Sequence, residues 1–168
     1  MLTYRPWLEK DFGNTDGWCK YEGSEGLIYP SEFWESNESF RRRLEQFPEG
    51  CWACANDKDE VVGYMFGHPW KSDSVVPLDC RGLVIPKDAD CYYLHDIAVI
   101  PKYRRQGIAK RLFEIGVEVA RKRGFKQIKG VAVLGSVTYW QKQGFKALEE
   151  IDYGKGQKGT VILLSLEG

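Results

Sequence analysis

Val99-Ile100-Pro101-Lys102-Tyr103-Arg104-Arg105-Gln106-Gly107-Ile108-Ala109-Lys110 is the stretch on which the fold turns: an apolar run passes through a basic, glycine-containing turn straight into a helix. Pro101 has no N–H to give a ladder, so the strand over Tyr92 to Ile100 stops before it. A helix start of this kind offers unpaired N–H groups and the positive end of its dipole to an anion. Gly107 lets a ligand come close to the backbone, and Arg104, Arg105 and Lys110 add charge-assisted donors suited to phosphate. A pyrophosphate fits that description. The same three cations also read as an ordinary solvated helix start, and spacing alone leaves both readings open. Neither G-x-x-x-x-G-K-[ST] nor G-x-G-x-x-G is present, which argues against ATP and NAD.

Working outward, Ile108, Leu112, Ile115 and Val119 mark one stripe of a helix from about Arg104 to Arg123, and Gly124 stands where a left-handed cap belongs. Lys110 with Glu114, and Glu118 with Lys122, are expected i,i+4 pairs on its wet side. Gln127 to Val133 reads as a strand, Ser136 to Gln143 as a short helix ended by Gly144, and Phe145 onward and Val161 to Leu166 as strands. Upstream, a short first strand ends at Tyr4-Arg5-Pro6, and residues 7 to about 35 read as loop with short helix. Ser36 caps a helix carrying Phe40, Leu44 and Phe47, stopped by Pro48 and Gly50, with Arg41-Arg42-Arg43 as its solvated face. Cys51 to Ala55 and Val61 to Gly67 form a hairpin about a polar turn. Residues 68 to about 90 have no period, and a connection that long in a small domain is functional or mobile. Strands alternating with helices imply a mixed sheet with helices packed on it.

The 168 residues suit one domain over 1–168 with a substantial core. A composition of 43% hydrophobic and 29% charged residues, with no long apolar run, excludes a membrane span. Residues 1–10 lack the apolar core of a secretory signal, so cytoplasmic residence is expected. Five scattered cysteines are expected to be free thiols. Basic and acidic residues balance at 24 each, so no global field favours nucleic acid or an anionic membrane. Arg121-Lys122-Arg123 extends the basic surface of the helix, but Glu114 and Glu118 interrupt it.

Arg104-Arg105-Gln106-Gly107-Ile108-Ala109 resembles the R/Q-x-x-G-x-G/A acetyl-CoA signature of the GNAT N-acetyltransferase superfamily, and Tyr139-Trp140-Gln141-Lys142-Gln143-Gly144-Phe145 is similar to its later Phe-Tyr-x-x-x-Gly-Phe segment. Tyr4-Arg5-Pro6 is similar to the family's opening. The resemblance implies an α/β (α+β) fold: a mixed, mostly antiparallel central sheet of about seven strands flanked by about four helices, splayed where acetyl-CoA inserts. It also implies that the backbone of Ile97, Ala98 and Val99 holds the pantetheine arm and that residues 104–110 hold the pyrophosphate. Leu94-His95-Asp96-Ile97-Ala98-Val99 resembles the matching strand of the arylalkylamine N-acetyltransferases, which carry two histidines there; His95 matches one position and Tyr93 stands at the other. The expected partner is a small amine, an arylalkylamine or a polyamine, acetylated from acetyl-CoA as co-substrate without a metal, by a monomer or homodimer. A peptide acceptor, or a regulatory module that binds acyl-CoA without turnover, are the alternatives.

An alkylamine with a pKa near that of lysine, about 10.4, is protonated at neutral pH and must lose a proton before it attacks. His95 is the expected base, and period-2 alternation sets it on one strand face with Tyr93, Ile97 and Val99. Asp96 is its competitor, re-aimed if a bulge lies there, and it also suits binding of the ammonium. A backbone N–H at Ile97 or Ala98 is the family's oxyanion donor. The tyrosine that usually protonates the leaving thiolate is replaced by Trp140, leaving Tyr139, Tyr93, Ser136 or no acid at all; Val133 replaces a family asparagine. Cys51-Trp52-Ala53-Cys54 has no partner motif for zinc, Cys91 is expected to be buried, and His68 is expected on a surface or loop. Tyr21, Tyr29, Phe33, Trp34 and Trp70 read as ordinary core or as an aromatic amine pocket, with Glu22 and Glu25 available to a cation.

Overall fold

Strands and helices follow one another in a computed structural model that describes residues 1–13, 22–23, 26–27, 33–154 and 156–167. They are β1 (Thr3–Pro6), β2 (Glu22–Gly23), β3 (Gly26–Leu27), α1 (Asn37–Gln46), β4 (Cys51–Ala55), β5 (Val61–Trp70), β6 (Cys91–Val99), α2 (Ile108–Lys122), β7 (Gln127–Ala132), α3 (Val137–Lys142), β8 (Lys146–Gly154) and β9 (Gln157–Ser165). Seven of the strands form one sheet in the order β1-β4-β5-β6-β7-β9-β8, and β2 and β3 form a separate pair. Where about four helices are expected, the described residues hold three α-helices and short 3-10 turns. None of the described helices is long and apolar enough to cross a membrane.

Every pair in the large sheet is antiparallel except β6 with β7, whose connection carries α2 as the crossover that a parallel pair requires. That parallel pair is short. β6 follows β5 from Cys91 to Val99, whereas β7 meets it only at Tyr92↔Ile128 and Tyr93↔Lys129 before continuing with β9. The sheet therefore splays beyond Tyr93, and the β7-side backbone edge of β6 is left free.

The ladder between β5 and β6 passes from Gly67↔Leu94 to Phe66↔Asp96, so His95 has no partner and forms a bulge. An extra residue shifts the phase of alternation. Leu94 and Val99, five positions apart, both face α2: Met65 and Leu94 fill the space a side chain at Gly116 would need, and Val99 meets Ile108 over Gly63. The expected shared face of Tyr93, His95, Ile97 and Val99 is therefore split, with Val99 turned to α2 and His95 packed on Phe40 of α1.

Helix α2 buries Ile108, Leu112, Ile115 and Ala120 as its stripe requires, and Phe113 besides. It starts four residues later than expected, because Pro101–Tyr103 forms a 3-10 turn and Arg104–Gly107 stays extended or left-handed. Its wet-side pairs also differ: Arg111 meets Glu114 and Glu118, at 3.7 and 3.5 Å, in place of the expected lysine pairs. In α1, Ser36 accepts from the Ser39 N–H as the cap, and Phe40 packs edge-on to Phe66 and Tyr64. The solvated face expected for Arg41-Arg42-Arg43 holds only in part. Arg43 is fully buried, since it lies three residues beyond Phe40 and four beyond Ser39 on the stripe that faces the sheet.

Residues 71–90 form a strap along the α1 face. Lys129 of β7 donates to the carbonyls of Ser72 and Ser74 at 2.6 and 2.8 Å, and Val76 N–H reaches the Tyr93 hydroxyl. Further on, the Leu78 N–H bonds the Tyr153 carbonyl, and Arg42 and Gln46 of α1 bind the backbone of Leu83 and Ile85. Side chains and scattered backbone groups satisfy this backbone in place of a ladder, which is why the segment has order without a sequence period.

His68 is expected on a surface or loop; it lies instead inside β5, 0% exposed, stacked on Tyr93 and edge-on to Trp70. Burial, aided by the nearby charge of Arg43, pushes its pKa down to about 3 against the opposing Pro69 carbonyl. The unfolded chain, with a histidine pKa near 6.5, binds a proton that the folded chain refuses. Stability is therefore expected to fall as pH drops from about 6.5 toward 3, by about 1.4 kcal/mol per unit. Urea unfolding across that range should show this slope, and His68→Phe should flatten it; an unchanged slope in the variant would assign the acid limb to other groups.

Candidate functional site

One cleft of about 770 Å³ occupies the splay between β6 and β7. Ile97, Ala98 and Val99 form its β6 wall, and Arg104, Arg105, Gly107, Ile108, Ala109 and Lys110 form the end at α2. Of the residues expected to bind the cofactor, only Gln106 is outside this lining. Gly107 is the N-cap of α2 at φ 77°, with no side chain capping the helix and nothing within 4 Å of where its Cβ would stand. Arg105, also at positive φ, turns the chain just before it. The first-turn N–H groups therefore open to the cleft, an arrangement with the chemistry to receive an anion. Arg104 donates to the Val99 carbonyl at 3.3 Å, and among the described residues Arg105 and Lys110 make no ion pair.

The other end of the cleft is acidic. Glu35, His95 and Asp96 line it, with Phe33, Leu78 and Tyr153 as apolar and aromatic surface. Asp96 accepts a 2.6 Å hydrogen bond from the Tyr64 hydroxyl. His95 Nε2 stands 2.8 Å from a Glu35 oxygen, and its Nδ1 lies 3.4 Å from an Arg43 nitrogen. The second Glu35 oxygen accepts the Asp79 N–H at 2.7 Å. Burial pushes the Glu35 carboxyl up, but His95, Arg43 and the Asp79 amide outweigh it and hold the group below the usual carboxylate range.

Tyr93 does not reach the cleft. It is 0% exposed beneath the strap with Val76 and Leu83, and burial pushes its phenol far up. Its ring still stacks on His95 at 6.4 Å between centroids, so the two remain neighbours and it is the strap that covers Tyr93. Tyr139 is 40% exposed and lines the cleft rather than the core, while Trp140 packs edge-on to Phe113 and Phe145 as it lines the same cleft. Ser136 and Val133 lie in the lining as well, joined by a 2.7 Å bond from the serine hydroxyl to the valine carbonyl. Of the expected aromatic pocket, Phe33 lines the cleft and Trp34 and Trp70 do not. Tyr21, Glu25 and Tyr29 lie outside the described residues, and Glu22 is described in its backbone alone. Cys51, Cys54, Cys80 and Cys91 are free thiols, and Cys19 is outside the described residues.

Sequence reading missed Glu35, Leu78 and Tyr153. Glu35 immediately precedes the Ser36 cap, a position that projects from a helix start toward whatever the helix faces. No comparable signal marks the other two, which reach the cleft only because the strap and β8 meet there.

Residues 9–145 match the acetyltransferase (GNAT) family. An uncharacterized N-acetyltransferase of Methanocaldococcus jannaschii is 25% identical over 134 residues, which are 78% of this chain and 54% of the relative, so the chain spans about half the length of the curated protein it matches. The loading GNATL domain of CurA from Lyngbya majuscula superposes with a TM-score of 0.79 at 14% identity, covering 99% of this chain and 98% of that one. The NatC complex bound to Gag peptide and CoA gives 0.71 at 18% identity, with 99% of each chain covered. A mosquito arylalkylamine N-acetyltransferase-like 5b protein gives 0.67 at 16% identity, covering 99% of this chain and 100% of that one. At such identities the likeness is one of fold.

Proposed function

The chain belongs to the acetyltransferase (GNAT) family, and from that premise we propose that it transfers an acetyl group from acetyl-CoA to the nitrogen of a small primary amine. The observation that carries the reading is that a single cleft joins the uncapped positive end of α2 to the carboxylates of Glu35 and Asp96 through the splay in the sheet. Acetyl-CoA supplies the activated thioester. The N–H groups at the start of α2, with Arg105 and Lys110, bind its pyrophosphate, and the free edge of β6 from Ile97 to Val99 pairs with the arm as an added strand.

At the acidic end Asp96 and Glu35 attract an ammonium. Asp96 is favoured as the proton acceptor over His95, because both ring nitrogens of His95 already have partners in Glu35 and Arg43. A backbone N–H at Ile97 or Ala98 donates to the developing oxyanion. Tyr139, on the cleft wall, donates to the departing thiolate.

A small acceptor is favoured over a polypeptide. CoA approaches from the α2 side, so the amine enters from the α1 side, where the strap crosses from α1 to β8 and the Leu78 N–H bonds the Tyr153 carbonyl. Leu78 and Phe33 then offer an apolar wall to the tail of an ammonium held by the carboxylates. The mosquito arylalkylamine N-acetyltransferase-like protein shares the fold, as does the peptide-bound NatC complex, so support for this preference comes from the strap and not from the neighbours. Thiol release from acetyl-CoA should be measured with arylalkylamines, polyamines, aminoglycosides and short peptides. Small primary amines are expected to exceed peptides in kcat/KM by about a hundredfold. A preference for peptides would overturn the small-amine reading, and acetyl-CoA binding without turnover on any amine would favour a regulatory module.

A further inference from the structure

Arg43 is fully buried in α1, yet among the described residues no carboxylate touches its guanidinium. Nη1 donates to the Ser39 carbonyl and hydroxyl at 3.0 and 3.2 Å, Nη2 points at His95 Nδ1 at 3.4 Å, and Nε has no hydrogen-bond partner among the described residues. Burying a cation in this way is costly unless its charge is answered nearby. The answer lies one ring further on. Arginine only donates, so Nδ1 must hold its lone pair toward Arg43, and the ring proton must then sit on Nε2, facing Glu35 at 2.8 Å. The chain of groups begins in the core and ends on the wall of the cleft.

We propose that Arg43 is a positioning residue acting through His95: it fixes the imidazole as the neutral tautomer protonated on Nε2, and so presents Glu35 to the cleft as counter-charge for the acceptor's ammonium. The second half of this rests on the amine-transfer reading; the tautomer does not. The groups that bear on His95 come from every side. They are Arg43 of α1, Glu35 ahead of it, His68 of β5, Tyr93 and Asp96 of β6, and Tyr153 of β8. Among the described residues, only Arg43 and Glu35 touch the ring nitrogens. A neutral ring between a fixed cation and a fixed anion gains nothing by taking a proton toward Nδ1, because the guanidinium occupies that direction.

The chain has two histidines, so 15N-imidazole NMR on the intact protein reads the tautomer directly, with the His95→Gln spectrum identifying which signals are lost. His95 is expected to show a protonated Nε2 and an unprotonated Nδ1 at pH 7. A proton on Nδ1, or a doubly protonated ring at pH 7, would overturn the proposal. In Arg43→Gln, the preference for the Nε2 proton is expected to be lost, and the KM for phenethylamine to rise about tenfold with that for acetyl-CoA unchanged, as for loss of one charge-assisted contact. Glu35→Gln should give the same split and stands in if Arg43→Gln does not fold. Equal changes in both Michaelis constants would make Arg43 merely structural. If no amine is acetylated, the transfer reading fails, and the wild-type tautomer still decides between Arg43 acting through His95 and a free imidazole.

Discussion

Gly107→Asp is expected to raise the dissociation constant for acetyl-CoA by about two to three orders of magnitude while changing folding stability by no more than about 1 kcal/mol. Gly107 is the N-cap of α2 and takes φ 77°, a conformation that aspartate tolerates better than most residues. Nothing stands within 4 Å of the new Cβ, so no clash accompanies the change. The added carboxylate lies beside the open N–H groups and the positive helix end that a pyrophosphate needs, and it repels the ligand's own charge. Gly107→Ala adds only the strain of positive φ and should cost about tenfold or less in affinity. Titration calorimetry with acetyl-CoA, paired with urea unfolding, separates the two effects. Unchanged affinity in the aspartate variant would return residues 104–110 to the status of a solvated helix start.

What the sequence makes legible at this site is what depends on neighbours along the chain. The strand, basic turn and helix of residues 99–110 are written in consecutive residues, and the structure keeps them apart from the late start of α2. The bulge at His95 is different in kind. It arises from the register between β5 and β6, and register depends on a strand some thirty residues upstream, so alternation within β6 cannot reveal it. Arg43 misleads for a related reason: three consecutive arginines look solvated, and only the helical stripe through Ser39 and Phe40, meeting a sheet that holds His95, turns the third inward. The strap is illegible because its order comes from side chains of α1 and β7 and a backbone carbonyl of β8 that catch its backbone one group at a time.

The same bulge carries the second large prediction. Asp96→Asn is expected to lower kcat/KM for the acceptor amine by about two to three orders of magnitude and to leave the KM for acetyl-CoA unaltered. Asparagine keeps the size of the side chain, and its carbonyl oxygen still accepts from the Tyr64 hydroxyl, which binds Asp96 at 2.6 Å, so the fold should survive. What goes is the charge that attracts the ammonium and the atom that takes its proton. The variant must then wait for free amine from solution, whose fraction rises about tenfold per pH unit up to a pKa near 10, so its rate should climb with pH more steeply than the wild type's. His95→Gln provides the contrast. If His95 only positions Glu35, its loss should weaken amine binding by about tenfold and leave that pH dependence as in wild type. Should Asp96→Asn instead remain active while His95→Gln shows the steep alkaline climb, the proton acceptor would be the imidazole, and the contact between Arg43 and Nδ1 would have to open during turnover.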